Sequence, residues 1–339
     1  MTRPDVVSAR LVVRMPNWLG DAVMALPALA AIRHAYPETW LAIAALPAVA
    51  PLFLEQTDVG PQQIIVLEKD RERALIREGA FDAALLLTNS FRTAWVVKGA
   101  GIRERWGYAA GGRGPLLTRA LARPRRELHQ SDYYLELVRG LGFEAPALLP
   151  RIRVTDATRH RASKLLEAHG VTEGSAIVGF APGAAYGHAK RWPPTRVAEV
   201  VGRLARERGA VCVLVGSDAD RDAGRAIESS LPPGVQVVNL IGRTDLRLLM
   251  GVLSACRAFV SNDSGAMHLA AAVGGPVTAI FGPTNERATA PLGDHDVILH
   301  QVFCRPCMLR ECPIDHRCMR RIGADEVYNA VTRRIDRQA

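Results

Sequence analysis

Three familiar signatures are missing from this 339-residue sequence. The first apolar run, RLVVR, leads into MPNWLGD instead of G-x-G-x-x-G, which disfavours a nicotinamide dehydrogenase. No G-x-x-x-x-G-K-[ST] occurs, so no P-loop is expected, and no G-x-S-x-G elbow is present. Long apolar runs are also missing. The longest, LAIAALPAVAPLFL from Leu41 to Leu54, is too short for a bilayer span and holds two prolines. The opening MTRPDVVSARLVV lacks a long apolar core and a small-residue cleavage site, so a cytoplasmic protein is expected, soluble or peripheral. No repeat at a solenoid period and no low-complexity segment is present.

What is there fits a soluble globular protein: 48% apolar and 23% charged residues. The length suits two domains of ordinary size. The formal charge of +9 favours a polyanionic partner, whether nucleic acid, a phosphorylated small molecule or an acidic membrane surface. Short, non-alternating apolar runs (RLVVR, WLAIAALP, QIIVLE, FDAALLLTN, then AIVGFAPG, AVCVLVGS, VQVVNLIG, AFVSN, PVTAIFGP) alternate with helical stretches. That pattern predicts an α/β fold of parallel strands covered on both faces, doubly wound. The series restarts after EAHGVTEGS, which places the junction near residue 170, with domains at 1–170 and 171–339. Two Rossmann-like halves are expected to face a cleft, with ligands at the carboxyl ends of the strands.

Several stretches could carry chemistry. In SNDSGAMHL a strand runs into a tight turn and a small-residue helix, whose free N-terminal amides attract phosphate. Asp263, Ser264, Gly265 and His268 stand there; an ordinary aspartate cap with a packed histidine is the plainer reading. In FAPGAAYGHAKRWPP, Lys190 closes a loop of small residues and could neutralise a leaving phosphate, or be a surface lysine. In GSDADRD, the acidic Asp218 and Asp220 could hold a metal, cap the next helix or bind a ribose hydroxyl; capping is preferred to metal. Asp21 follows a glycine on the first turn of a very apolar helix. The stretch Arg103–Arg126 breaks the strand–helix pattern with seven arginines and one glutamate, and reads either as a solvated irregular loop or as a grip for an anionic acceptor. Cys212 and Cys256 sit in apolar surroundings and read as buried packing. Cys304, Cys307, Cys312 and Cys318 cluster as CRPCMLRECPIDHRC. In a reducing compartment such a cluster suggests zinc or iron–sulfur before disulfides. The spacing is no standard zinc ribbon, however, and a reduced, packed loop is preferred.

Taken together, NWLGDAVMALPAL, PGAAYGHAKRWP and SNDSGAMHLAAAVGGPVTAIFGPT resemble the ADP-heptose:lipopolysaccharide heptosyltransferases of glycosyltransferase family 9. The PGA-x-x-G-x-AKRWP form, with the cysteine cluster, is most similar to the members that add the second heptose. The resemblance implies a GT-B fold and an inverting transfer of heptose from ADP-L-glycero-D-manno-heptose to the first heptose of the lipopolysaccharide inner core. Asp21 would be the general base, Lys190 would meet the phosphates and Asp220 the ribose. Asp263 would hold heptose hydroxyls, since a carboxylate would repel the diphosphate; Ser264 and Gly265 would offer amides, with His268 beside them. The Arg103–Arg126 stretch would face the anionic acceptor. No catalytic metal or other cofactor is implied, and no nucleic-acid partner. Net basicity favours a peripheral place at the anionic inner face of the cytoplasmic membrane. The first heptosyltransferase, or a transferase with another acceptor, is the nearest alternative. Outside the enzymes, the alternative is a basic nucleotide- or nucleic-acid-binding regulatory protein.

Overall fold

The computed structural model describes residues 10–146 and 148–337. The chain divides into two compact units, Met1–Arg153 and Val154–Ala339. The junction therefore falls earlier than residue 170. The helix Asp156–Glu167, which the sequence placed in the first domain, packs on the helix Leu246–Ser254 and belongs to the second unit.

The first unit holds β1 (Arg10–Arg14), β2 (Trp40–Ala45), β3 (Gln56–Thr57), β4 (Gln63–Val66), β5 (Ala83–Leu86), β6 (Glu104–Tyr108), β7 (Arg119–Leu121) and β8 (Ile152–Arg153). Six of these form a parallel sheet in the order β4-β2-β1-β5-β6-β7, while β3 and β8 make a small antiparallel pair. Strand order reverses at β1: the chain first builds outward through β2 and β4, then returns to β5 on the other side. Loops after β1 and β5 therefore emerge side by side, the place where open α/β sheets hold ligands. The helix Leu19–Ala35 follows β1 and is apolar all round; Ala22 to Ile32 are all buried, and only its ends meet solvent. Asp21 lies on the open first turn.

The arginine-rich stretch is more ordered than an irregular loop, because it contributes β6 and β7. Its arginines divide by role. Arg113 is fully buried and donates through Nε to the Tyr108 carbonyl at 2.9 Å and through Nη1 to the Thr88 carbonyl. Arg105 closes on the Leu116 and Ile102 carbonyls of its own segment, each at 2.6 Å. Guanidinium groups used in this way hold backbone and are not available to a ligand.

The second unit holds β9 (Ile177–Ala181), β10 (Val211–Leu214), β11 (Val238–Asn239), β12 (Ala258–Asn262), β13 (Val277–Phe281) and β14 (His295–Leu299), parallel in the order β11-β10-β9-β12-β13-β14. The reversal here lies between β9 and β12. Phe180, Val260 and Ile280 from the strands pack with Val197, Val201 and Leu204 of the helix Pro194–Arg208. The helix Ala324–Arg337 packs on that helix and on β12 to β14. Trp192 is buried in this core and donates from Nε1 to the Ile322 carbonyl at 3.1 Å, so its one polar atom is satisfied. No helix among the described residues is long and apolar enough to cross a membrane.

Candidate functional site

In the second unit the loops after β9 and β12 meet at the switch point, and they carry most of the residues singled out from the sequence. Asn262, the last residue of β12, joins them. Its Nδ2 donates to the Pro182 carbonyl at 2.7 Å, and its Oδ1 accepts from the Trp192 amide at 3.2 Å. Lys190 ends a single 3-10 turn, and its Nζ donates to Asp263 Oδ2 at 2.6 Å. Thr284, from the loop after β13, donates to the same oxygen at 2.7 Å. The phosphate cation and the sugar-holding carboxylate, assigned separate tasks by the resemblance, are thus joined in one buried pair.

Beside them the helix Gly265–Ala272 begins with Ser264 as its N-cap, whose side chain makes no capping bond to the helix. The first amides of a helix have no partner within it, and they carry its positive end. Ser264 Oγ instead lies 3.1 Å from Ser261 Oγ. His268 is buried on this helix, at 4% exposure. Ser264 and Gly265 are partly open.

Asp220 is also buried, and its oxygens are engaged. Oδ2 accepts from the Ser217 amide at 3.0 Å and hydroxyl at 2.8 Å, completing a capping box, and Oδ1 accepts from Arg191 Nη2 at 3.3 Å. Of the three roles open to the Asp218 and Asp220 pair, helix capping is the one the geometry displays. Asp218 is exposed and paired with Arg221. Asp220 also presses on the loop after β9: a Cβ at residue 183 would stand 2.2 Å from its Cγ, so only glycine fits there.

In the first unit, Asp21 lies on the helix Leu19–Ala35, which packs on the helix Gln130–Gly140. Burial, and next the negative charge of Asp21, push the Tyr134 hydroxyl above its ordinary range. Its neighbour Tyr133 accepts at its hydroxyl from Asn89 Nδ2 at 2.8 Å, with the Arg123 guanidinium 5.9 Å from its ring centre. Asn89 follows β5, so the two loops at the first switch point frame this polar group. The hinge before Asp21 is fixed by Arg14. That buried guanidinium donates to Asn17 Oδ1 at 2.9 Å and to Glu72 Oε1 at 3.1 Å, while Arg92 takes the other Glu72 oxygen at 2.6 Å.

The sequence reading missed Asn262, Thr284, Tyr133, Asn89 and the Arg14–Glu72 pair. Thr284 and Asn89 were within its reach, since each follows a strand that ends at the same sheet edge as a chosen residue. Among the described residues no group of three or more histidine, cysteine or acidic side chains is arranged to hold a metal. The four C-terminal cysteines are free thiols; Cys318 is pushed upward, first by burial and then by the nearby charges of Cys304, Cys312 and Cys307.

The model of the family described as glycosyltransferase family 9 (heptosyltransferase) matches residues 71–317. Lipopolysaccharide heptosyltransferase 2 of Escherichia coli K12 is 32% identical over 302 residues, covering 84% of this chain and 85% of that one. Lipooligosaccharide heptosyltransferase 2 of Haemophilus ducreyi is 29% identical over 316 residues, covering 86% and 89%. The solved E. coli ADP-heptose lipopolysaccharide heptosyltransferase II is similar at a TM-score of 0.83 and 29% identity, over 97% of this chain and 99% of the other. A family 9 glycosyltransferase of Veillonella parvula, 20% identical, shares the fold at a TM-score of 0.86, over 99% of both chains. The two parallel-sheet units are those of a GT-B fold.

Proposed function

Because the chain belongs to glycosyltransferase family 9, the heptosyltransferases, and is therefore a glycosyltransferase, we propose that it moves heptose from ADP-L-glycero-D-manno-heptose to the first heptose of the lipopolysaccharide inner core. The observation that carries this reading is the pairing of Lys190 with Asp263 beside an open helix start. The pair offers a cation for the diphosphate and a carboxylate for sugar hydroxyls, adjacent to each other as the two halves of the donor are. Membership in a transferase family supersedes the reading as a regulatory nucleic-acid binder.

The transfer is a single inverting displacement. Asp21 takes the proton of an acceptor hydroxyl as that oxygen bonds to the anomeric carbon. The bond from that carbon to the β-phosphate oxygen breaks, and ADP leaves with the electron pair. Lys190 has three N–H donors, so it can keep Asp263 and still meet a phosphate oxygen. The amides of Ser264 and Gly265 add fixed dipoles where the negative charge collects, and His268 stands on the same helix. Asp263 holds heptose hydroxyls. Asp220 takes a ribose hydroxyl on Oδ1, where one long bond from Arg191 leaves accepting capacity. Charge neutralisation by these groups requires no metal. Arg123 beside Tyr133 and the exposed Arg125 and Arg126 meet the acceptor's anionic groups, with the enzyme peripheral at the inner face of the membrane.

The test is an assay with ADP-heptose and lipopolysaccharides truncated before and after the first heptose, read by mass spectrometry with the product anomer assigned by NMR. Addition of one heptose only to the acceptor bearing the first heptose, with inversion, is the expected result. Transfer to the heptose-free acceptor would assign the chain to the preceding step instead.

A further inference from the structure

The cysteine-bearing segment has no part in the chemistry above, yet it touches both sides of the donor site. In the loop Pro182–Arg191, Gly183, Ala184, Ala185, Gly187 and Ala189 have no side chain that can bond a neighbour. The end of the loop is held from outside. The Ala189 amide donates to the Arg310 carbonyl at 2.9 Å, and His316 Nε2 donates to the Ala189 carbonyl at 2.6 Å. Both backbone groups of the residue before Lys190 are thus bonded to one distant segment. Tyr186 donates its hydroxyl to the Met308 carbonyl at 2.7 Å, and its ring lies 4.7 Å from Lys190 Nζ and 5.2 Å from the Arg310 guanidinium. At Gly187 a Cβ would stand 2.4 Å from the Arg310 carbonyl oxygen, so the close approach depends on glycine.

The same segment is fastened to the loop after β13. The Met308 amide donates to the Pro283 carbonyl at 2.9 Å, and Arg305 donates to the Gly282 carbonyl at 2.7 Å and the Thr284 carbonyl at 3.1 Å. Thr284 binds Asp263, which binds Lys190, so the bonds close a ring.

We propose that the segment Arg305–His316 is a positioning strap that sets the distance between Lys190 and the Asp263–Thr284 pair, with His316 and Tyr186 as its positioning residues. This rests on the reading of Lys190 and Asp263 as part of the donor site. His316 has a left-handed backbone, φ 57°, and alanine and glutamine bear the same strain there. The contrast between them therefore isolates the side-chain bond, which glutamine can still donate. In the full-length chain, His316→Ala raises the KM for ADP-heptose about fivefold to tenfold, the worth of one hydrogen bond. The acceptor KM stays at its wild-type value, and His316→Gln recovers most of the loss. Tyr186→Phe, which deletes a single hydroxyl from a half-buried ring, raises the donor KM in the same direction and provides the test should His316→Ala not fold. Unchanged donor KM in these variants, or equal rises for donor and acceptor, overturns the strap. Calorimetry with ADP separates the two ideas. Absence of ADP binding by the wild-type chain defeats the donor-site reading and the strap with it, whereas normal wild-type binding with indifferent variants defeats the strap alone.

Discussion

The Lys190 ammonium and the Asp263 carboxylate neutralise one another at the switch point of the second sheet, 2.6 Å apart, with side chains 12% and 7% exposed. Breaking a buried pair by removing one member leaves the other uncompensated, at a cost of about 3–5 kcal/mol. Lys190→Met should therefore lower the melting temperature as well as weaken ADP binding by at least about tenfold, the value of one charge-assisted bond. Adding Asp263→Asn removes the stranded charge and keeps an acceptor for Thr284. The double variant should regain most of the melting temperature and none of the ADP affinity. Recovery of both together would mean that Lys190 serves only the fold.

That pairing also marks how far the sequence could be read. Every apolar run named as a strand is one, because buried parallel strands carry an unbroken apolar signal. It missed the two-residue strands β3 and β8, too short to carry a pattern, and also β6, β7 and β14, which hold charged residues: ERWGY and RAL lie inside the arginine stretch, and HDVIL sits at a sheet edge. The candidate residues of the second unit come from three segments far apart in the chain, and they converge because strand order places β10, β9 and β12 side by side. Strand order is a tertiary fact that periodicity does not encode. For the same reason the sequence suggested both Lys190 and Asp263 but not their contact. For Asp220 the sequence already prefers capping to metal, and the geometry adds the partner, Ser217.

The proposed transfer depends on Asp21, and the role proposed for it separates cleanly from donor binding. Asp21→Asn keeps the size and hydrogen-bonding capacity but removes the proton acceptor. Turnover should fall by about a hundredfold to ten-thousandfold, the usual worth of a general base. The ADP dissociation constant should stay within about twofold, since every proposed ADP contact comes from the second unit. A comparable loss in both quantities would make Asp21 a structural carboxylate at a helix start.

Alkaline stability should follow the buried thiols. Burial pushes Cys256 from 9.0 up to about 12, and burial with the adjacent Cys256 does the same for Cys212. The folded chain then keeps protons that the unfolded chain has released. Stability is accordingly whole below pH 9 and declines as pH rises toward 12, by up to about 1.4 kcal/mol per pH unit for each thiol. Tyr108 and Tyr134, both pushed upward mainly by burial, act in the same direction. The urea midpoint should drop between pH 9 and 11, and Cys256→Ala should flatten that drop. At pH 8, iodoacetamide should label the partly open Cys304, Cys307 and Cys312 well before Cys212 and Cys256, as peptide mass spectrometry can resolve.

The arginine stretch should split the same way under mutation. Arg113 is wholly enclosed, and burial lowers it from 12.5 to about 10, so its bonds to the Tyr108 and Thr88 carbonyls are made at the expense of hydration. Arg113→Ala leaves those carbonyls without their donor and opens a void beneath Gly107, whose Cβ position lies 3.0 Å from Arg113 Nη2. A loss of about 3 kcal/mol in urea unfolding is expected, with some change in every kinetic constant. Arg123 is exposed, and its guanidinium lies beside the Tyr133 ring. Arg123→Ala should leave the urea midpoint within about 0.5 kcal/mol of wild type. It should raise only the acceptor KM, and by less as salt is added, because a solvent-facing charge is screened. If Arg123→Ala leaves the acceptor KM unchanged at low salt, the acceptor's anions are met elsewhere, and Arg125 and Arg126 become the residues to change next.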